Sequence, residues 1–283
     1  MNQNQELMNS AKIEIEQGMQ SGLSPQNGTP QGLSAQNKNE GVAVAQKHVI
    51  WITGSKGGTG KSTFARGLAH TIQIAGMDWA AFDGDPENAQ LYRFYKDVGN
   101  GVARIGIKRR DGLDDVLIQM ETVGTSLILV DVPAGGGEIL ADLEEDIGFL
   151  SATSELGYGL TMVSLLSSTK DSVNQLKRAM EITEDYEVAH IAVKHRFYGG
   201  VKEFALFDDS KTKRRLLENG GQVIEMRDLF KKTYDQLDAA DFSFQAAIDA
   251  DSELVPSPDK RRVKQWTKHF KQQVLSTGGR LGL

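Results

Sequence analysis

A three-layer α/β/α fold, with a mostly parallel twisted sheet flanked by helices, follows from three features of this sequence. From His48 onward, short apolar runs alternate with amphipathic stretches, the pattern of successive βα units. SLILVDV (126–132) is a continuous apolar run ending in an acid, as expected of a strand covered on both faces. A glycine-rich turn sits between the first apolar run and the first amphipathic stretch, where α/β sheets place their ligand-binding loops.

Seven strands are expected: HVIWIT, DWAAFD, GVARIGI, SLILVDV, LTMVSLLS, EVAHIAVKH and GQVIEM. Between them FARGLAHTIQIAG, NAQLYRFYKD, GLDDVLIQME and KDSVNQLKRAMEI read as helices. VKEFALFDDSKTKRRLLENG (201–220) is expected to be partly helical, and the chain after GQVIEM helical. Residues 1–47, rich in Gln, Asn, Ser and Gly and without an aromatic residue, are too polar to offset the entropy of ordering and read as a disordered tail. Residues 48–283 then form a single domain closing in a basic C-terminal helix.

The 283 residues are 39% hydrophobic and 25% charged with a net charge of −6, an ordinary globular composition without a global basic field. No cysteine is present, which excludes disulfides, thiolate zinc sites and Cys-ligated iron–sulfur clusters. The start, MNQNQELMNS, lacks the basic and apolar regions of a signal peptide, and no apolar run approaches the roughly 20 residues that span a bilayer. A cytoplasmic protein is the expectation.

HVIWIT runs into GSKGGTGKST, which satisfies GxxxxGK[ST] with Gly54, Gly60, Lys61 and Ser62 and is followed at once by a helix. Glycines let such a loop wrap phosphate oxygens with its N–H groups, and the helix start adds partial positive charge. Gly57, Gly58, Thr59, Gly60, Lys61, Ser62 and Thr63 are therefore the expected nucleotide-binding residues of a P-loop NTPase. Lys61 is expected on the β- and γ-phosphates and Ser62 on Mg²⁺.

A second lysine, Lys56, directly precedes Gly57 and Gly58. KGGTGKST resembles the deviant Walker A motif, KGGxGK[ST], of the ParA/MinD superfamily of ATPases. The resemblance implies an ATP-dependent homodimer in which Lys56 crosses to the partner's ATP, acting as an arginine finger does.

Two acidic stations follow. Asp83 and Asp85 flank Gly84 at the end of the second strand, so extended geometry would project both side chains to one face. DGDPENA matches the family's DxDPxxN through Pro86 and Asn88, and the resemblance assigns Asp85 to orienting the attacking water and Asp83 to supporting the Mg²⁺ shell. SLILVD fits the Walker B pattern, with Asp131 expected to hold Mg²⁺ through water opposite Ser62. Pro133 and glycines 135–137 suit a loop that moves with the γ-phosphate.

Within the superfamily, absence of cysteine excludes members whose dimers share a Cys-ligated cluster. The chain is similar to conjugal-transfer TraL and plasmid-stability StbB proteins over most of residues 48–275, in DGDPENA, HRFYGG, RDLF, FSFQAAIDA and KRRVKQW. Relatives often end the late strand in an Asn that contacts adenine, whereas this chain has Lys194 and His195. His195 either stacks on or hydrogen-bonds the base, or is an idle strand-end residue.

KTKRR (211–215) and KRRVK (260–264) are basic clusters that either contact DNA phosphates without sequence preference or are solvated helical faces. In the closing helix Val263, Trp266, Phe270 and Val274 form an apolar stripe, read as packing on the domain; a membrane-surface helix of the MinD kind would look similar. Two functional readings stand: a slow Mg²⁺-dependent ATPase acting in plasmid transfer, partition or maintenance with a stimulating adaptor protein, or an ATP-gated recruitment module with negligible hydrolysis.

Overall fold

The computed structural model describes residues 47–283 apart from Lys108 and Arg110, so the expected tail lies outside the described residues except for Lys47. All seven expected strands form: β1 (Lys47–Gly54), β2 (Trp79–Asp83), β3 (Val102–Arg104), β4 (Leu127–Asp131), β5 (Tyr158–Leu166), β6 (Val188–His195) and β7 (Gln222–Met226). They make one sheet in the order β3-β2-β4-β1-β5-β6-β7, with every pairing parallel. The helices are α1 (Lys61–Ile74), α2 (Gln90–Tyr95), α3 (Asp114–Ile118), α4 (Gly136–Ile147), α5 (Phe149–Glu155), α6 (Lys170–Ile182), α7 (Ala205–Asp208), α8 (Lys211–Glu218), α9 (Lys231–Ala239), α10 (Phe244–Asp249) and α11 (Ser257–Leu275).

Side chains alternate across a strand, so β1 feeds two cores. Ile50 and Ile52 pack with Phe64 and Leu68 of α1, Phe244 of α10 and Phe270 of α11. Val49 and Trp51 enter the opposite core with Val116 of α3, Leu140 of α4 and Phe149 of α5. A third cluster, including Val173, Phe207 and Leu216, seats α6, α7 and α8 beside β5 and β6.

Helices α4 and α5 occupy a stretch in which the sequence reading placed no element. The glycines expected to form a moving loop are placed differently: only Gly135, with φ of 84°, has a left-handed loop conformation, and α4 starts at Gly136. Gly136 is buried, and a Cβ there would sit 2.3 Å from Val132 Cγ2 and 2.5 Å from Thr53 Oγ1. Close packing of α4 on the ends of β1 and β4 therefore requires this glycine.

The stripe on α11 is buried throughout, which corrects the membrane alternative: Val263, Trp266, Phe270 and Val274 belong to the core under α1. Phe270 meets Phe64 edge-on at 5.1 Å and stacks on Trp266 at 5.1 Å. It can do so because α1 carries Gly67 at the contact, where an added Cβ would lie 2.9 Å from the Phe270 ring. Two effects oppose each other in Gly67→Ala. Helix propensity favours Ala by about 1 kcal/mol, whereas overpacking against a buried ring costs about 1–3 kcal/mol. The ring is confined between Phe64 and Trp266, so overpacking should win: Gly67→Ala is expected to lower stability by about 1 kcal/mol in urea titrations. A gain in stability would show that α11 shifts freely.

Candidate nucleotide-binding site

β1 lies between β4 and β5, so the loops at its C-terminal end open at the ligand side of the sheet. From Gly54 the chain wraps back into α1, and Gly58 and Gly60 have φ of 78° and 95°, conformations that favour glycine. The Thr59 hydroxyl donates to the Lys56 carbonyl at 3.1 Å, and the Lys61 ammonium reaches the same carbonyl at 3.5 Å. No side chain caps the start of α1, leaving its first N–H groups free for an anion. The loop borders a cleft of about 370 Å³ lined by Gly57, Gly58, Gly60, Lys61, Ser62 and Thr63. Asp85, Gln90, His195, Phe197, Asp228 and Tyr234 complete much of its wall. That volume is in the range of small-molecule sites.

The end of β6 and the residues that follow it grip the loop. His195 Nδ1 is 3.0 Å from the Thr59 carbonyl, which can only accept, so Nδ1 carries the proton. The Tyr198 hydroxyl donates to the Gly58 carbonyl at 2.5 Å. A Cβ on Gly60 would fall 2.4 Å from His195 Nδ1, so the ring and the glycine fit only each other. Burial holds the His195 imidazole below its ordinary range, which keeps it neutral near pH 7. The loop is thus braced at two of its carbonyls by residues of another strand end. His195 thus lines the cleft as expected, but its Nδ1 is committed to the loop backbone. Phe197 stacks on it at 5.8 Å and is largely exposed.

The acids differ from one another. β2 ends at Asp83 and the chain turns at Pro86, so the expectation that Asp83 and Asp85 share a strand face does not hold. Asp83 is buried away from the cleft lining, and its two oxygens accept from the backbone N–H groups of Asp85 and Tyr92, each at 3.0 Å. These bonds make it an anchor for the loop before α2. Asp85 lines the cleft, with Oδ1 accepting from the N–H groups of Glu87 and Asn88 at 3.0 and 2.9 Å.

Asp131 is paired in register with Asp83 across β4 and β2. Its carboxylate is buried, and neither oxygen has a hydrogen-bond partner. Burial, followed by the neighbouring charge of Asp83, pushes its carboxyl up to about 7; the approach of the Ser62 hydroxyl, short of a completed hydrogen bond, and the Lys61 charge pull it down. An unbonded buried carboxylate near a P-loop serine suits a divalent cation. Among the described residues no group of three His, Cys, Asp or Glu is arranged to hold a metal, so phosphate oxygens and water would have to supply most of an octahedral Mg²⁺ shell.

Lys56 is exposed and does not line the cleft of its own chain. Gln90, Phe197, Asp228 and Tyr234 do line it, although RDLF and HRFYGG carry no chemical motif and no local spacing links Gln90 to Tyr234.

Comparison with known proteins places these features in context. A family model described as the CobQ/CobB/MinD/ParA nucleotide binding domain matches residues 50–242. The chain is 23% identical to Protein MobD of Acidithiobacillus ferrooxidans over 226 residues, covering 80% of this chain and 96% of MobD. Among solved structures it is similar to the MinC:MinD cell division protein complex of Aquifex aeolicus, with 16% identity, 81% and 96% coverage and a TM-score of 0.49. It is also similar to an ADP-bound nucleotide-binding protein of Archaeoglobus fulgidus, with 16% identity, 79% and 90% coverage and a TM-score of 0.45.

The raised Asp131 carboxyl makes stability depend on pH when Mg²⁺ and nucleotide are removed. Below about pH 4 the group is protonated in both folded and unfolded chains and carries no penalty. As pH rises toward 7 the unfolded chain ionises first, so this site should cost the folded state about 2–4 kcal/mol by neutral pH. Asp131→Asn should remove that loss, so its stability relative to the parent should rise by about 2–3 kcal/mol between pH 4.5 and pH 8 in chelator. Equal pH profiles in urea titrations would show that Asp131 is not desolvated.

Proposed function

This chain belongs to the CobQ/CobB/MinD/ParA nucleotide-binding family, and from that premise we propose that it is a slow, Mg²⁺-dependent ATPase that works as an ATP-dependent homodimer. The observation that carries the proposal is the buried, unbonded carboxylate of Asp131 beside Lys61 and Ser62.

In this reading the loop N–H groups from Gly57 to Thr63 bind the phosphates, helped by the free start of α1. Lys61 would contact the β- and γ-phosphates, and Ser62 and Asp131 would hold Mg²⁺. When bound, the ion neutralises charge on the β- and γ-phosphate oxygens. Asp85 has one oxygen fixed by two backbone donors, which orients the carboxylate at the cleft to hold the attacking water. Lys56 stands outside its own cleft and is exposed, as a residue that acts on a partner's nucleotide must be.

The cellular process is proposed from the resemblance to TraL and StbB proteins: plasmid transfer, partition or maintenance, with an adaptor that stimulates turnover. For contact with DNA, the outer face of α11 is better suited than α8. Lys213 and Arg215 of α8 pair with Asp208 and with Glu181 and Glu184. On α11, Arg261, Lys264 and Lys268 are exposed at spacings of three and four and form no ion pair among the described residues. Phosphate contacts from that stripe would weaken steeply with salt.

The mass in solution should be that of a dimer with ATP and Mg²⁺ and of a monomer with ADP or without nucleotide. Lys56→Ala should lose about 1000-fold or more in turnover, the lower end for a cation delivered in trans. A dimer indifferent to nucleotide would refute the dimer mechanism. Asp85→Ala should lower turnover by about 100-fold while leaving ATP-dependent dimerisation intact. Wild-type behaviour of that variant would overturn the water-holding role, and negligible turnover of the parent with intact dimerisation would favour an ATP-gated recruitment module.

A further inference from the structure

The cleft wall contains a junction that none of the roles above uses. The Tyr234 hydroxyl, on α9, is 2.9 Å from Gln90 Oε1, 3.3 Å from Arg66 Nη1 and 3.4 Å from Thr63 Oγ1. It therefore joins three segments: the helix after the phosphate loop, the turn into α2 after β2, and the helix after β7. Tyr234, Gln90 and Thr63 all line the cleft.

The polarity of this junction is set by Arg66. Its side chain is fully buried, with the guanidinium 3.7 Å from the Phe94 ring centroid and 5.1 Å from that of Phe244, and its Nε and Nη2 have no partner. A guanidinium can only donate, so the Tyr234 oxygen accepts from it. The phenolic proton is then directed to Gln90 Oε1, which can only accept. A cation behind a phenol in a low-dielectric wall strengthens the phenol as a donor. Gln90 is the first residue of α2, and its N–H donates to the Asn88 carbonyl at 2.7 Å. Asn88 in turn donates its N–H to Asp85 Oδ1. The chain of bonds thus runs from Arg66 through Tyr234, Gln90 and Asn88 to Asp85.

We propose that Tyr234 is a positioning residue: its hydroxyl latches the Asp85–Asn88 loop to the phosphate-loop helix, with Arg66 fixing the direction of the latch. This rests on the hydrolytic reading of the same cleft. Tyr234 need not touch the reacting atoms, since it acts through Gln90 on the carboxylate that faces them. Misplacement of a reacting group by about 1 Å can cost on the order of 100-fold in rate, and loss of one hydroxyl that sets the loop is the gentlest way to cause it.

Tyr234→Phe keeps the ring but removes, with the latch, the hydrogen bond that the buried Arg66 guanidinium makes to the hydroxyl. It should lower kcat by about 10-fold or more, while affinity for a non-hydrolysable ATP analogue changes by less than about twofold. Gln90→Leu should give a similar loss, and the double variant should lose little beyond either single one. Hydrogen exchange gives a readout independent of turnover: with the analogue bound, amides from Glu87 to Arg93 should exchange faster than in the parent in both Tyr234→Phe and Gln90→Leu, with the thermal midpoint lowered in Tyr234→Phe, where Arg66 loses its bond, and unchanged in Gln90→Leu. An unaltered kcat, additive losses, or a loss carried wholly by analogue affinity would overturn the proposal. If the parent does not hydrolyse ATP, the hydrolytic reading fails by itself; faster exchange at Glu87–Arg93 would then still support the latch, and unaltered exchange would overturn it.

Discussion

The central place of β1 is the constraint on which the rest of the molecule depends. Because β4 and β5 flank it, the loop after Gly54 emerges beside Asp131 on one side and reaches the end of β6 on the other. A strand at the sheet edge could meet only one of these neighbours. Its central register also requires both faces of β1 to be covered, which is why Val49, Ile50, Trp51 and Ile52 are all fully buried. The phosphate loop is thus suspended from a central strand buried on both faces, and its conformation is braced by neighbours as well as by its own glycines. His195 and Tyr198 hold two of its carbonyls, and the Thr59 hydroxyl closes it from within.

Around that loop the fold keeps charges that would be unfavourable in a purely structural core. Asp131 is buried without a hydrogen bond, and Arg66 is buried without a carboxylate partner. Desolvating an ion costs several kcal/mol, and a desolvated cation–π contact returns about 2 kcal/mol. The rings of Phe94, Phe244 and Tyr234 around Arg66 therefore offset a substantial part of the penalty, helped by the hydrogen bond to Tyr234. Asp131 has no comparable compensation. An uncompensated anion next to the phosphate loop fits a pocket whose stability depends on what binds there.

Sequence patterning made the strands legible because each is an apolar run of the right length ended by a polar or glycine residue, and all seven formed. The phosphate loop and the Asp131 strand were legible for the same reason: their chemistry is contiguous in the chain. What escaped notice depends on tertiary geometry. α4 begins with two glycines, which argue for a loop until the ends of β1 and β4 are seen to leave no space for a Cβ at Gly136. Asp83 and Asp85 were paired by strand periodicity, but the strand stops at Asp83 and backbone donors occupy that carboxylate. Gln90 and Tyr234 are 144 residues apart and meet only because β7 and α9 return to the cleft.

That return is secured by the closing helix. β7 is the last strand of the sheet, and its outer edge would otherwise present unpaired backbone groups. Gln273 of α11 accepts from the Glu225 N–H at 2.8 Å, and Trp266 donates its indole N–H to the Arg227 carbonyl at 2.8 Å. Both bonds come from the helix whose apolar stripe fills the core beneath α1. They fix the start of the segment that carries Asp228, Leu229 and Tyr234 into the cleft wall. The same stripe that could have served a membrane surface instead ties sheet edge, core and cleft together, which leaves only the polar and basic outer face of α11 free to meet a partner.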